Sequence, residues 1–308
     1  METPAEHLHP IFLNYQELDK ITAVLVKRYQ PEKIICFGSL QQSASSAGCF
    51  MDSKSQHTNH YFLLMVTANP TRIEHEVQAM MTSCFKDIAI TIVVHGREIV
   101  SDAITKGNRF FITVYRTGTL LHNAEGLLLS LAGLHLPQID TMQTYIKAEH
   151  HYKHRYEMAL GFMEGVNACM MKGYYNNAVF MMHQAIEQAC IGLIRIFIGY
   201  RSDMHNLDRL FKLTLCFSPE PSAIFPRETE EDWRLFNLFH KCYSEARYKT
   251  ELQVTKEDAE LLHKRCIDIV LLVEALCLQR ITLYKVKAEE AAPNIINYNP
   301  ALPASLSA

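Results

Sequence analysis

The chain has 308 residues, 48% of them apolar, with 15 Phe and 14 Tyr. That length fits two domains of ordinary size better than one, and the apolar content excludes disorder throughout. A formal net charge of −3 excludes a generic electrostatic coat for nucleic acid or an anionic membrane, though not a local basic patch.

The opening stretch METPAEHLHPIF lacks the charged-then-apolar build of a secretory leader. Apolar residues at helical spacing (Leu18, Ile21, Val24, Leu25) predict a helix over 15–29, ended by Pro31. Residues 33–37 read as a short buried strand running into Gly38-Ser39, and the Ser-rich stretch 41–59 as a loop or a long hairpin tip. A strand over 61–67, a helix over 74–85 and a strand over 88–94 follow. Then come a helical turn at 101–107, a strand over 110–115 and its return at 120–122 around Thr117-Gly118.

Beyond about residue 125 the pattern is helical. A helix over 146–171 ends at Gly173, and a second over 176–198 is apolar around most of its surface, as suits the middle of a bundle. A short helix over 207–214 precedes a Pro-containing loop. Thr229 and Thr255, each followed by acids, open the last two helices. The expected organisation is a domain over 1–125, a linker over 126–145, a helical bundle over 146–287 and a disordered tail over 288–308. No apolar run reaches membrane-spanning length, since IGLIRIFIGY is short and broken by Arg195. Nine cysteines stand singly with no C-x-x-C pair, which suits reduced, buried thiols in a cytosol.

Several motifs in the helical half occur in a telling order. Gly173-Tyr174-Tyr175-Asn176-Asn177-Ala178 joins two helices, and His183-Gln184-Ala185-Ile186-Glu187-Gln188-Ala189 lies on the central one. Gly199-Tyr200, His205-Asn206-Leu207 and Tyr243-Ser244-Glu245-Ala246-Arg247-Tyr248 follow. Together they make this half resemble the HEPN family. The resemblance implies an up-down helical bundle that forms a homodimer, with ties to toxin–antitoxin and defence systems. Catalytic relatives are metal-independent ribonucleases that use an Arg followed, after about four to six residues, by a His. Arg247 matches the arginine, but Leu252, Gln253 and Val254 stand where the histidine is expected.

Two other pairs, Arg116 with His122 and Arg234 with His240, fit the bare spacing. The first is in the wrong half, and the second sits in one helix with side chains about 120° apart. Arg247, with Tyr248 beside it, is the candidate anion-binding residue; alternatively it ties two helices by a salt bridge. His183 and Glu187, one turn apart, either meet a ligand or pack as a polar pair in the bundle or at a dimer seam. His205 either joins that site or organises the turn before its helix.

In the first half, Lys33-Ile34-Ile35-Cys36-Phe37-Gly38-Ser39 resembles the strand and turn of the minimal nucleotidyltransferase domain. There a Gly-Ser turn cradles the triphosphate, and a D-x-D pair on the next strand holds Mg²⁺. Here His60 and Phe62 stand where the two carboxylates are expected, and IAITIVV offers no third. Gly38 and Ser39 either still bind a nucleotide or survive as a structural turn.

His150, His151 and His154 crowd one helix start. They read as a solvated face, with a metal as the rival reading that lacks a third ligand.

The expected fold is therefore α+β: a nucleotidyltransferase-like mixed sheet with helices, then an all-α HEPN bundle. The expected function is a regulatory protein that binds a nucleotide or phosphorylated ligand without a cofactor, both catalytic sets being incomplete. The rivals are a ribonuclease that acts on RNA through Arg247 and a histidine from another helix, and a ligand-free, antitoxin-like interaction module.

Overall fold

The computed structural model describes residues 13–48, 51–69, 72–125, 136–245 and 253–291. Asn14 starts α1 (Tyr15–Tyr29) by accepting the Glu17 amide, and Gln30 ends it in the left-handed region at φ 45°. β1 (Lys33–Gly48) and β2 (Met51–Thr67) form one antiparallel hairpin, so the polar stretch 41–59 is its outer part. After α2 (Glu74–Cys84), β3 (Ala89–Gly96) adds parallel to β2. Two helices, α3 (Arg97–Thr105) and α4 (Arg109–Thr117), lead to β4 (Thr119–Asn123), which pairs antiparallel with β1. The mixed sheet has the order β3-β2-β1-β4.

The strand expected over 110–115 is a helix. Asn108 accepts the Phe110 amide at its start, and Phe110, Phe111, Val114 and Tyr115 are buried while Thr113 and Arg116 are exposed. That is a helical face, and the run Phe110-Phe111-Ile112 disguises it. The strand at 119–123 consequently pairs with β1 and has no partner at 110–115.

Alternation along the strands gives the sheet two unlike faces. Tyr61, Leu63, Met65, Ile90 and Ile92 pack with Leu18, Ile21 and Leu25 of α1 and with Val77 and Met81 of α2. On the opposite face Ile35, Leu64, Val66 and Val93 belong to one continuous core that runs through α4 into the C-terminal helices.

Those helices are α5 (Thr141–Met171), α6 (Tyr175–Ile198), α7 (Leu207–Thr214), α8 (Glu220–Ala223), α9 (Glu230–Glu245) and α10 (Lys256–Ala291). α5 begins at Thr141, ahead of the expected 146, because Asp140 caps it by accepting the Gln143 amide. α6 lies in the middle and touches α5, α7, α9 and α10. Thr229 with Asp232, and Thr255 with Asp258, make the expected N-terminal caps.

Every cysteine among the described residues is a free thiol. Cys36, Cys190, Cys242, Cys266 and Cys277 are buried, Cys84 is exposed, and Cys49 lies outside the described residues. No helix among them is long and apolar enough to cross a membrane.

Candidate functional site

Sheet geometry decides what the Gly38-Ser39 region can do. β1 continues as a strand through both residues, which pair with Phe62 and Tyr61 beside a bulge at Cys36/Gly38. A Cβ at Gly38 would lie 3.3 Å from Phe62 Cδ2, so the glycine makes room for that ring. Phe62 pairs across β2 and β3 with Thr91. His60 stacks on Phe62 with centroids 4.3 Å apart, and its Nε2 lies 2.8 Å from Thr91 Oγ1. Phe37 stands 6.1 Å from Phe62 and edge-on to Phe110 at 5.4 Å. At the expected place of metal-binding carboxylates, the sheet thus carries imidazole, phenyl and hydroxyl, all buried.

A second constellation forms where the bundle meets the sheet. α6 presents His183 and Glu187, the residue before the Asn206-capped α7 is His205, and α9 presents His240 and Tyr243. His205 Nδ1 lies 3.0 Å from Glu187 Oε1. His183 is fully buried and stacks on Tyr243 at 4.3 Å, with Phe239 and His240 at 5.5 and 6.4 Å. Its Nδ1 is 4.0 Å from Glu187 Oε2, beyond hydrogen-bond reach. Both His183 ring nitrogens, Glu187 Oε2 and His240 Nδ1 are buried without a hydrogen-bond partner among the described residues.

This cluster adjoins a cleft of about 880 Å³ between the two halves, where His205, His240 and Tyr243 face His95 and Phe111. Arg72, His75 and Arg201 are exposed along its lining. Two contacts hold the cleft together. His95 Nε2 meets the Tyr200 hydroxyl at 3.0 Å, and Arg209 donates to Glu74 at 3.0 Å and to the Ile92 carbonyl at 3.2 Å. Glu74 also accepts the Val94 amide at 3.0 Å, so both of its oxygens are engaged. Guanidinium and imidazole groups beside aromatic rings suit a phosphate ester that carries a planar base.

His183, Glu187 and His205 are therefore brought together, whereas Gly38 and Ser39 lie on the sheet away from them. Arg247 and Tyr248 fall outside the described residues. Arg234 donates to Glu231 and Asp258 and so ties α9 to α10, while His240 lines the cleft. His151 accepts from Arg195 Nε at 3.4 Å, and no group of three or more metal-ligating side chains occurs among the described residues. His95, Tyr200 and Arg209 were not marked by any sequence motif except the glycine–tyrosine step at 199–200.

Burial pushes His60 down to about 4, with nearby Lys212 adding to the effect, and pushes His183 down to about 3, with His240 and His205 adding. Both lie below the ordinary value of about 6.5, so the unfolded chain takes up protons that the folded chain refuses as pH falls. Stability is thus full above about pH 6.5 and declines as pH falls toward the folded-state values. Each of the two histidines should remove about 2 kcal/mol by pH 5. Urea midpoints at pH 5 and 7.5 measure this, and equal midpoints would contradict the burial of neutral imidazoles.

Residues 152–276 match the family model of the HEPN domain. A solved structure of a nucleotidyltransferase-like protein from Exiguobacterium sibiricum is 12% identical. Its match covers 88% of this chain and 80% of that one, at a TM-score of 0.27. No curated protein matches the chain.

Proposed function

We propose that this chain, with a HEPN domain at residues 152–276, is a regulatory protein that binds a nucleotide or similar phosphorylated ligand in its inter-half cleft. The observation that carries the reading is the contrast between the two places where such a ligand could sit. The sheet face is filled by His60, Phe62, Phe37 and Phe110, whereas the cleft offers about 880 Å³ lined by imidazoles, arginines and aromatic rings. Mg²⁺ is a hard cation that takes oxygen ligands, and the only side-chain oxygen in the His60–Phe62–Thr91 set is the Thr91 hydroxyl. Metal-dependent nucleotidyl transfer is accordingly lost in this reading.

The test is thermal stability against ATP, GTP, CTP, UTP and a short RNA, with and without Mg²⁺. A ligand at a hundred times its dissociation constant should stabilise by about 2.7 kcal/mol, equally with and without Mg²⁺. No shift with any of them would leave a ligand-free, antitoxin-like interaction module as the better reading. A shift that requires Mg²⁺ would count against loss of the metal site.

The bundle is also proposed to form a homodimer. Ile267, Leu271 and Leu278 stand exposed on one face of α10, and Met142, Ile146 and Leu160 on one face of α5. Light scattering on the eluting protein should give twice the chain mass; a monomer would argue against it.

Ribonuclease action is the second reading. His183, His240 and Tyr243 gather toward the end of α9, a few residues before Arg247 in the sequence. RNA cleavage that persists in EDTA and disappears in His240→Ala would install it.

A further inference from the structure

We propose, resting on the nucleotide-binding reading of the cleft, that Glu187 is a positioning residue that holds His205 so that its Nε2 donates to the ligand's phosphate. The two residues differ sharply in exposure: the Glu187 side chain is 3% exposed and that of His205 is 64%. Their hydrogen bond, 3.0 Å from Glu187 Oε1, uses His205 Nδ1. The opposite ring nitrogen makes no hydrogen bond among the described residues, and His205 lines the cleft. An exposed histidine on a loop ordinarily samples several rotamers; this one is fixed by a carboxylate anchored in the helix at the centre of the bundle.

The carboxylate is otherwise out of place. α6 is apolar around most of its girth, and Glu187 lies buried with Oε2 unpartnered among the described residues. Such a group costs stability unless it is satisfied. Burial raises the Glu187 carboxyl above its ordinary range, and His205 and Arg155 draw it back. An ionised Glu187 accepts the Nδ1 N–H and fixes the tilt of the ring, so that in the doubly protonated form only the Nε2 N–H is left for an anion. The other groups around the pair are His183 on α6, His240 and Tyr243 on α9, and Arg155 on α5. His183 is held neutral by burial, so it adds no competing positive charge.

Three probes separate a phosphate grip from a structural tie: AMP, adenosine and inorganic phosphate, titrated calorimetrically. His205→Gln should weaken AMP and phosphate about tenfold while leaving adenosine within about twofold. Glu187→Gln keeps the shape and the acceptor but not the charge, so it should weaken AMP and phosphate while leaving adenosine within about twofold. Equal losses for AMP and adenosine, or AMP binding unchanged in His205→Gln, would overturn the proposal while the cleft reading stands. A wild-type protein that binds none of the three and shows no thermal shift with any of ATP, GTP, CTP, UTP or RNA would remove the cleft reading itself, and this proposal with it. Should Glu187→Gln fail to fold, the exposed His205→Gln decides alone.

Discussion

Arg109→Ala is expected to destabilise the protein by about 3 kcal/mol, more than a typical surface change, because three hydrogen bonds and a cation–ring contact that join the two halves are lost together. The guanidinium donates to the carbonyls of Ile196 and Phe197 at 2.7 and 3.1 Å and to the Tyr284 hydroxyl at 2.5 Å. It also lies 4.9 Å from the centroid of the Tyr284 ring. A residue of the N-terminal half thus closes the C-terminal end of α6 and grips α10 in the same stroke. Its cation also faces the negative end of the α6 dipole. Gly199 fits the same joint: it sits at φ 76°, and a Cβ there would come within 3.2 Å of Arg109 Cβ and the Phe110 amide nitrogen. Calorimetry should show Arg109→Ala melting roughly 5 °C lower. Arg109→Lys should recover only part of this, since one ammonium cannot reproduce the planar fork. A melt unchanged in Arg109→Ala would show that the joint contributes nothing to stability.

Phe62→Asp is expected to prevent folding. A carboxylate at this position removes a fully buried ring packed beside Phe37, His60 and Gly38. Deleting such a ring costs about 3–5 kcal/mol, and an unpaired buried carboxylate adds several more. The sum equals or exceeds the whole stability of many domains. Circular dichroism through a melt, with His60→Asp/Phe62→Asp alongside, should show no cooperative transition. A double variant that folds and binds Mg²⁺ would refute the view that this face is core.

The long-range part of this site was hidden in the sequence for a physical reason. That His60 and Phe62 share one face of the sheet is legible, because strand alternation fixes which positions do. Their packing with Phe37 and Phe110 is not, since the run of three apolar residues at Phe110 reads as a strand. Over only nine residues a helical face and a buried strand leave similar patterns. α6 is legible as the central helix from its apolar girth, and the caps at Thr229 and Thr255 mark the last two helices. The cleft depends on contacts such as Arg209 with Glu74, 135 residues apart, which no local period encodes. His183, Glu187, His205 and Tyr243 were reached through their motifs, although the motifs do not say that one imidazole is sealed and another exposed.

The joint at Arg109 also sets a schedule for synthesis. Its hydroxyl partner, Tyr284, lies 175 residues later, and α6 and α7, which share the core with the sheet, also come after it. At about 5–20 residues per second, roughly 10–35 s pass between translation of the two ends of that contact. During that interval Leu64, Val93, Phe110 and Phe111 belong to a nascent chain whose covering helices have not yet been made. Ribosome-bound chains stalled near residue 125 should therefore be digested by protease far faster than full-length chains, and should recruit chaperones that bind exposed apolar surface.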